Sequence, residues 1–114
     1  MEIQNMSIEE IWQQISEKVA EKAVDDQLNA AYTFHIDDGE EKSFSLIFQD
    51  GKGEVKEGAV DDATCQLSMN EKNFKLLLAG ELNPTSAFMT RKLKLKGNIA
   101  DALKLEQIIK TYTF

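Results

Sequence analysis

The groups in this sequence that could carry chemistry are three aspartate pairs, a single histidine, a single cysteine and one short run of cations. Asp25-Asp26, Asp37-Asp38 and Asp61-Asp62 offer paired carboxylates for acid–base work. Each pair sits where one hydrophobic pattern gives way to another, and there an aspartate turns the chain by accepting nearby backbone N–H groups. His35 falls on the polar side of an alternating segment and reads as a solvated strand residue. One histidine and one cysteine cannot supply the four ligands of a zinc site. Cys65 takes an inward position in another alternating segment and reads as core, not nucleophile. Residues 50–54, DGKGE, lack the ligand spacing of a calcium loop. The G-x-S-x-G, P-loop and dinucleotide patterns are absent. The expectation is a protein that is not an enzyme and has no cofactor or metal. What stands out instead is residues 82–97, LNPTSAFMTRKLKLKG. Four of the chain's 13 basic residues lie within positions 91–96 although the net charge is −7, and an apolar cluster, Ala87, Phe88 and Met89, sits beside them.

The elements that must position these groups follow from periodicity. Ser7 and Glu10 form a capping-box pattern ahead of Ile8, Ile11, Trp12, Ile15 and Val19, whose three- and four-residue steps predict a helix over about 7–24. Leu28, Ala30, Tyr32, Phe34 and Ile36 alternate with polar residues, as do Phe44, Leu46 and Phe48, then a short segment through Val55, then Cys65, Leu67 and Met69. Short turns at 37–40, 50–53 and 59–63 separate these segments, so four antiparallel strands are expected. The period then lengthens. Asn70 caps a helix carrying Phe74, Leu77 and Leu78, with Gly80 at its end. Asn83-Pro84 starts a short helix over about 84–90, because a residue before proline is extended and proline suits the first helical position. Residues 92–97 return to alternation as a fifth strand, and Asn98 caps a last helix over about 99–110.

With 114 residues, 42% apolar and 29% charged, the composition is that of one α+β domain spanning residues 1–114. No apolar run approaches the ~18 residues of a membrane span. The acidic balance argues against a nucleic-acid partner. The N-terminal stretch lacks a signal-peptide layout, KTYTF at the C-terminus matches no receptor-read address, and a lone cysteine suits a reducing cytoplasm. Late in the chain, apolar residues exceed what one docking face requires: Ile99, Ala102, Leu103, Leu105, Ile108, Ile109, Tyr112 and Phe114, with Phe74, Leu76, Leu77, Leu78, Leu82, Phe88 and Met89. They make either a generous core or the lining of a cavity for an apolar ligand.

At residues 80–105 the run GELNPTSAFMTRKLKLKGNIADALKL resembles the signature of the sterol carrier protein 2 family, also called non-specific lipid-transfer proteins. The resemblance implies a five-stranded, mostly antiparallel sheet covered on one side by helices, with a hydrophobic tunnel between them. It implies a protein that holds sterol, fatty acid, acyl-CoA or phospholipid with loose specificity, in a family whose members stand alone or form modules on peroxisomal enzymes; a stand-alone, monomeric, cytoplasmic protein is expected here. On that basis Phe74, Leu77, Leu78, Phe88, Met89, Leu103 and Ile108 are expected to bind the lipid, with the last helix as a lid. Lys92, Lys94 and Lys96 are expected to share an outer strand face. They serve there either as solvated charges or as a transient contact for anionic headgroups and membrane surfaces. Two features depart from the family: the peroxisomal tail of eukaryotic members is missing, and Glu106 stands where a glutamine is common. The alternatives are an accessory domain presenting acyl substrates to an enzyme, a small hydrolase, or a closed core without ligand.

Overall fold

The first helix, α1 (Ile8–Glu21), turns its Ile8, Ile11, Trp12, Ile15 and Val19 face inward. The computed structural model describes residues 5–21 and 28–112. The capping box closes as its sequence requires, with Glu10 N–H donating to Ser7 Oγ at 3.2 Å and Ser7 N–H donating to Glu10 Oε1 at 3.3 Å. The expected last turn of this helix, the break after it and the Asp25-Asp26 pair lie outside the described residues.

Four alternating segments become β1 (Ala30–Asp37), β2 (Glu41–Gln49), β3 (Lys52–Glu57) and β4 (Cys65–Asn70), and β5 (Lys94–Lys96) completes a five-stranded sheet of order β3-β2-β1-β4-β5. The two hairpins β1–β2 and β2–β3 are antiparallel, as is β4–β5. The expectation of four antiparallel strands fails at β4, which lies parallel to β1 with Tyr32 opposite Cys65 and Asp37 opposite Asn70. The reason is the link over residues 58–64. It does not turn back on β3 but crosses β2 and β1. It is anchored where Gly58 N–H donates to Ser43 O and where Thr64 N–H donates to Ala31 O, both at 2.7 Å. The sheet is therefore mixed.

Alternation sends the two faces to different tasks. Tyr32, Phe34, Ile36, Leu46, Phe48, Cys65, Leu67 and Met69 join the α1 face in one core. On the opposite face Thr33 and Ser45, paired in register, are fully buried and hydrogen-bonded at 2.9 Å, and Ser45 Oγ also donates to the Gly58 carbonyl. The crossover thus satisfies the polar face that the helices leave free. Lys42 ties α1 to the β1–β2 turn through Asp38 at 2.7 Å and Glu9 at 2.6 Å. These hydrogen bonds, Asp38's first, hold its ammonium above the ordinary lysine range and both carboxyls below theirs.

Two helices follow β4. α2 (Glu71–Leu78) begins at Asn70, whose Oδ1 accepts from Asn73 N–H at 2.8 Å. It ends in a Schellman turn, with Gly80 N–H donating to Leu77 O, Glu81 N–H donating to Leu76 O, and Gly80 at φ +77°. α3 (Pro84–Met89) starts as Asn83-Pro84 dictates: Asn83 is extended and its Oδ1 accepts from Thr85 and Ser86 N–H. The strand expected over 92–97 shortens to β5, because Ala87 O accepts from both Lys92 and Leu93 N–H and holds those residues in the turn after α3. α4 (Ile99–Tyr112) is capped by Asn98 and buries Ala102, Leu105, Ile108, Ile109 and Tyr112.

α1 lies directly on β3 at Gly53. A Cβ there would collide with the Val19 side chain and come within 3.1 Å of the Phe48 ring. Gly53→Ala is therefore expected to destabilise the fold by about 1–3 kcal/mol, the usual cost of overpacking, measured by urea denaturation. An unchanged midpoint would show that α1 does not need this close approach.

Candidate functional site

Between α1 and the sheet lies an aromatic cluster built around Trp12. Its indole stacks on Phe44 at 5.1 Å and on Phe74 at 5.4 Å, and meets Phe34 edge-on at 5.2 Å. Phe34 and Phe74 meet edge-on at 5.7 Å. The cluster borders an apolar cavity of about 10 Å³, lined by Trp12, Ile15, Val19, Phe34, Leu46, Phe74, Leu78, Ile108, Ile109 and Tyr112. That is near the lower limit for one water molecule, and the lining offers too few polar partners to hold one. Three buried polar atoms in the molecule lack a hydrogen-bond partner among the described residues: Trp12 Nε1, Tyr32 OH and Glu106 Oε2. The other Glu106 oxygen pairs with Lys110 at 3.1 Å.

The expected lipid-binding residues divide in two. Phe74, Leu78 and Ile108 stand on the cavity wall, and Leu77 is buried in the same core. Phe88, Met89 and Leu103 do not join them: they are 42%, 75% and 40% exposed. α3 is short, and Pro84 and Ala87 already occupy its inward side, so Phe88 and Met89 point away. On α4, Leu103 falls beside the buried positions Ala102 and Leu105, not among them. Sequence reasoning missed Trp12, Ile15, Val19, Phe34 and Leu46 as lining residues. Their periodicity was plain, but it was read as packing alone.

The polar candidates also have definite places. Cys65 is fully buried, and burial, with the Asp101 carboxylate adding, pushes its thiol up to about 11. The same two causes push the Tyr32 phenol up to about 12. Asp37 and Asp38 turn the chain, accepting from Gly39 and Glu40 N–H respectively. His35 is not the solvated strand residue expected. Its ring nitrogens lie 2.8 Å from Ser43 Oγ and 3.1 Å from Gln66 Oε1, and its side chain is only 20% exposed. Lys92, Lys94 and Lys96 are exposed. The first two, with Arg91, line an open surface groove of about 740 Å³ that also carries Asp37 and Glu41. Among the described residues no helix is long and apolar enough to cross a membrane, and no cluster of side chains could hold a metal ion.

A mixed five-stranded sheet with helices packed on one face around an apolar core defines a single-domain α+β fold. The chain belongs to the SCP-2 sterol transfer family, whose profile matches residues 8–110. It is 29% identical over 103 residues to sterol carrier protein 2 of Homo sapiens, covering 86% of this chain and 19% of that protein. It is 33% identical over 104 residues to hydroxysteroid dehydrogenase-like protein 2 of Rattus norvegicus, covering 90% of this chain and 20% of that one. The chain thus spans about a fifth of these relatives' length. Among solved structures, the apo form of sterol carrier protein 2 from Yarrowia lipolytica superposes with a TM-score of 0.68 at 30% identity, covering 88% of this chain and 80% of that one. The palmitated SCP2L2 of Aedes aegypti shares the fold with a TM-score of 0.70 at 18% identity, covering 91% and 95%.

The burial of Cys65 gives a direct test of the core. At pH 8 the thiol is expected to react with Ellman's reagent far more slowly in the native protein than in urea, since both access and the thiolate fraction are suppressed. Equal rates would show that the core around β1 and β4 is open.

Proposed function

We propose that this chain is an intracellular lipid carrier: a monomeric cytoplasmic module, without catalytic activity, that takes a sterol, fatty acid, acyl-CoA or phospholipid into its apolar interior. The observation that carries this reading is the match of residues 8–110 to the sterol transfer family, on a fold whose apolar core between helices and sheet includes Phe74, Leu78 and Ile108 with Trp12 and Phe34. The palmitated state of the Aedes aegypti protein that shares this fold supports an acyl chain as the guest. Burying a palmitoyl-length chain at ~0.8 kcal/mol per methylene contributes roughly 13 kcal/mol. Association and ordering cost about 4–15 kcal/mol, so a reversible affinity remains. Such contacts read apolar shape, which accounts for loose specificity. Trp12 lines the cavity and its buried N–H has no acceptor among the described residues, so a ligand oxygen could meet it.

A lipid needs far more room than about 10 Å³, so binding must move part of the wall. α4 is the element to move. It supplies Ile108, Ile109 and Tyr112 to the cavity and lies outside the sheet's hydrogen-bond network. Displacing it costs apolar contacts, whereas parting β1 from its neighbours would also break a backbone ladder. The second reading, a domain that presents acyl substrates to an enzyme, is favoured by one observation: the relatives that match over this domain are several times longer than it.

Two measurements test the carrier. Native mass spectrometry and displacement of a fluorescent fatty acid are expected to show one acyl chain per protein. A delipidated chain that binds no probe would reject the reading. Hydrogen exchange is expected to be faster at amides 100–112 than in β1, β2 and β4, and to slow when fatty acid is added. Exchange in α4 as slow as in the sheet, unchanged by lipid, would reject the moving helix.

A further inference from the structure

The exposed large apolar side chains among the described residues are Phe88, Met89 and Leu103. All three belong to α3 and to α4, which packs against it. Immediately after Met89 the chain folds back. Arg91 N–H donates to Phe88 O at 3.3 Å and Lys92 N–H donates to Ala87 O at 2.8 Å, the two bonds of a Schellman turn. The fold-back sets Arg91 and Lys92 directly after Phe88 and Met89 in the chain, and Lys94 of β5 lines one groove with these two cations beside the Asp37 and Glu41 carboxylates.

The conformation of Arg91 sets this tip apart. The same turn ends α2, and there the left-handed position is filled by Gly80 at φ +77°. At the end of α3 it is filled by Arg91 at φ +63°, although a side chain disfavours that region and glycine does not. The arginine serves no contact that offsets this: it is exposed and makes no ion pair among the described residues, and the same holds for Lys92, Lys94 and Lys96. A strained, unpaired cation next to a methionine that is 75% exposed is a poor choice for folding alone.

The geometry points to the α3 tip as a docking surface for an anionic lipid bilayer, with Phe88 and Met89 entering the interface and Arg91, Lys92 and Lys94 meeting the acidic headgroups. Charge complementarity selects this occupant. The chain as a whole carries −7 and is repelled by such a membrane, so approach favours a face where cations prevail, and here Arg91, Lys92 and Lys94 outnumber the Asp37 and Glu41 carboxylates of the same groove. The apolar side chains protrude beside the charges, which suits insertion between headgroups. Few groups are engaged, so docking is weak and reversible, as a shuttle requires. The inference rests on the carrier reading for its purpose, since docking here brings α4, through Leu103, to the membrane that would supply or receive the lipid.

The test is co-sedimentation with phosphatidylcholine vesicles, pure or with roughly a third phosphatidylserine, at low and high salt. The wild-type chain is expected to bind the anionic vesicles more tightly, with salt weakening the difference. Arg91→Gly is expected to weaken binding about fivefold, the contribution of one cation near a charged surface. The same variant is expected to raise the melting temperature, because glycine suits the turn, and to leave affinity for a soluble fluorescent fatty acid unchanged. Met89→Glu, at a position that supports no packing, is expected to weaken vesicle binding as well. Equal binding to neutral and anionic vesicles, or unchanged binding of Arg91→Gly, would overturn the docking surface. So would retention on heparin with no vesicle binding, which would indicate a soluble polyanion. Fatty-acid binding without vesicle binding removes the docking surface and leaves the carrier; loss of fatty-acid binding removes the carrier, while the vesicle result still stands by itself.

Discussion

The packing of Trp12 against three phenylalanines holds the structure together, since it joins elements that no backbone hydrogen bond connects. Its ring reaches Phe34 on β1, Phe44 on β2 and Phe74 on α2, so one side chain fixes α1 to the sheet and α2 to both. Each such pair contributes about 0.5–1.5 kcal/mol beyond the area it buries. Flat rings meeting at 18° and at 63° cannot fill space as aliphatic chains do, and the cavity lies on the open side of this cluster. The same side chain thus joins the N-terminal helix to β1, β2 and α2 and forms part of the cavity wall.

The second half of the chain follows from a series of asparagine and glycine positions. Asn70, Asn83 and Asn98 each accept N–H groups from the first turn of the helix that follows. Between them the Schellman turns at Gly80 and Arg91 reverse the chain. The consequence is geometric. α2 lies on β1 and β4, α3 turns a corner with only Pro84 and Ala87 inward, and α4 closes over the top. Because α3 gives so little to the core, its remaining apolar residues are released to the surface.

Most elements of this fold were legible in the sequence, because periodicity and caps are local. The capping box at Ser7, the extended Asn83 before Pro84 and the left-handed Gly80 each needed a few residues and were read correctly. The parallel pairing of β4 with β1 was not legible. Alternation assigns faces but carries no direction, and residues 58–64 look like a turn until the bonds at Gly58 and Thr64 show them crossing two strands. The shortening of β5 had the same origin, since Leu93 alternates like a strand residue while its N–H is spent on Ala87 O. For the site, composition showed an apolar surplus but not its destination. Phe88 and Ile108 are equally hydrophobic in sequence, and only the shortness of α3 sends one outward and leaves the other within.

This last ambiguity is physical. An apolar void costs stability because its lining loses dispersion contacts on one side, so close packing of that lining is favoured when no ligand is present. On the proposed carrier reading the lining doubles as core, here Ile108, Ile109 and Tyr112 of α4 against Trp12 and Phe34. A lipid entering would substitute its own methylenes for the contacts α4 gives up, so opening exchanges one set of apolar contacts for another of similar kind. The energetic difference between closed and loaded forms is then small compared with either set. On the proposed reading, that small difference would let the same side chains stabilise the fold and release a ligand.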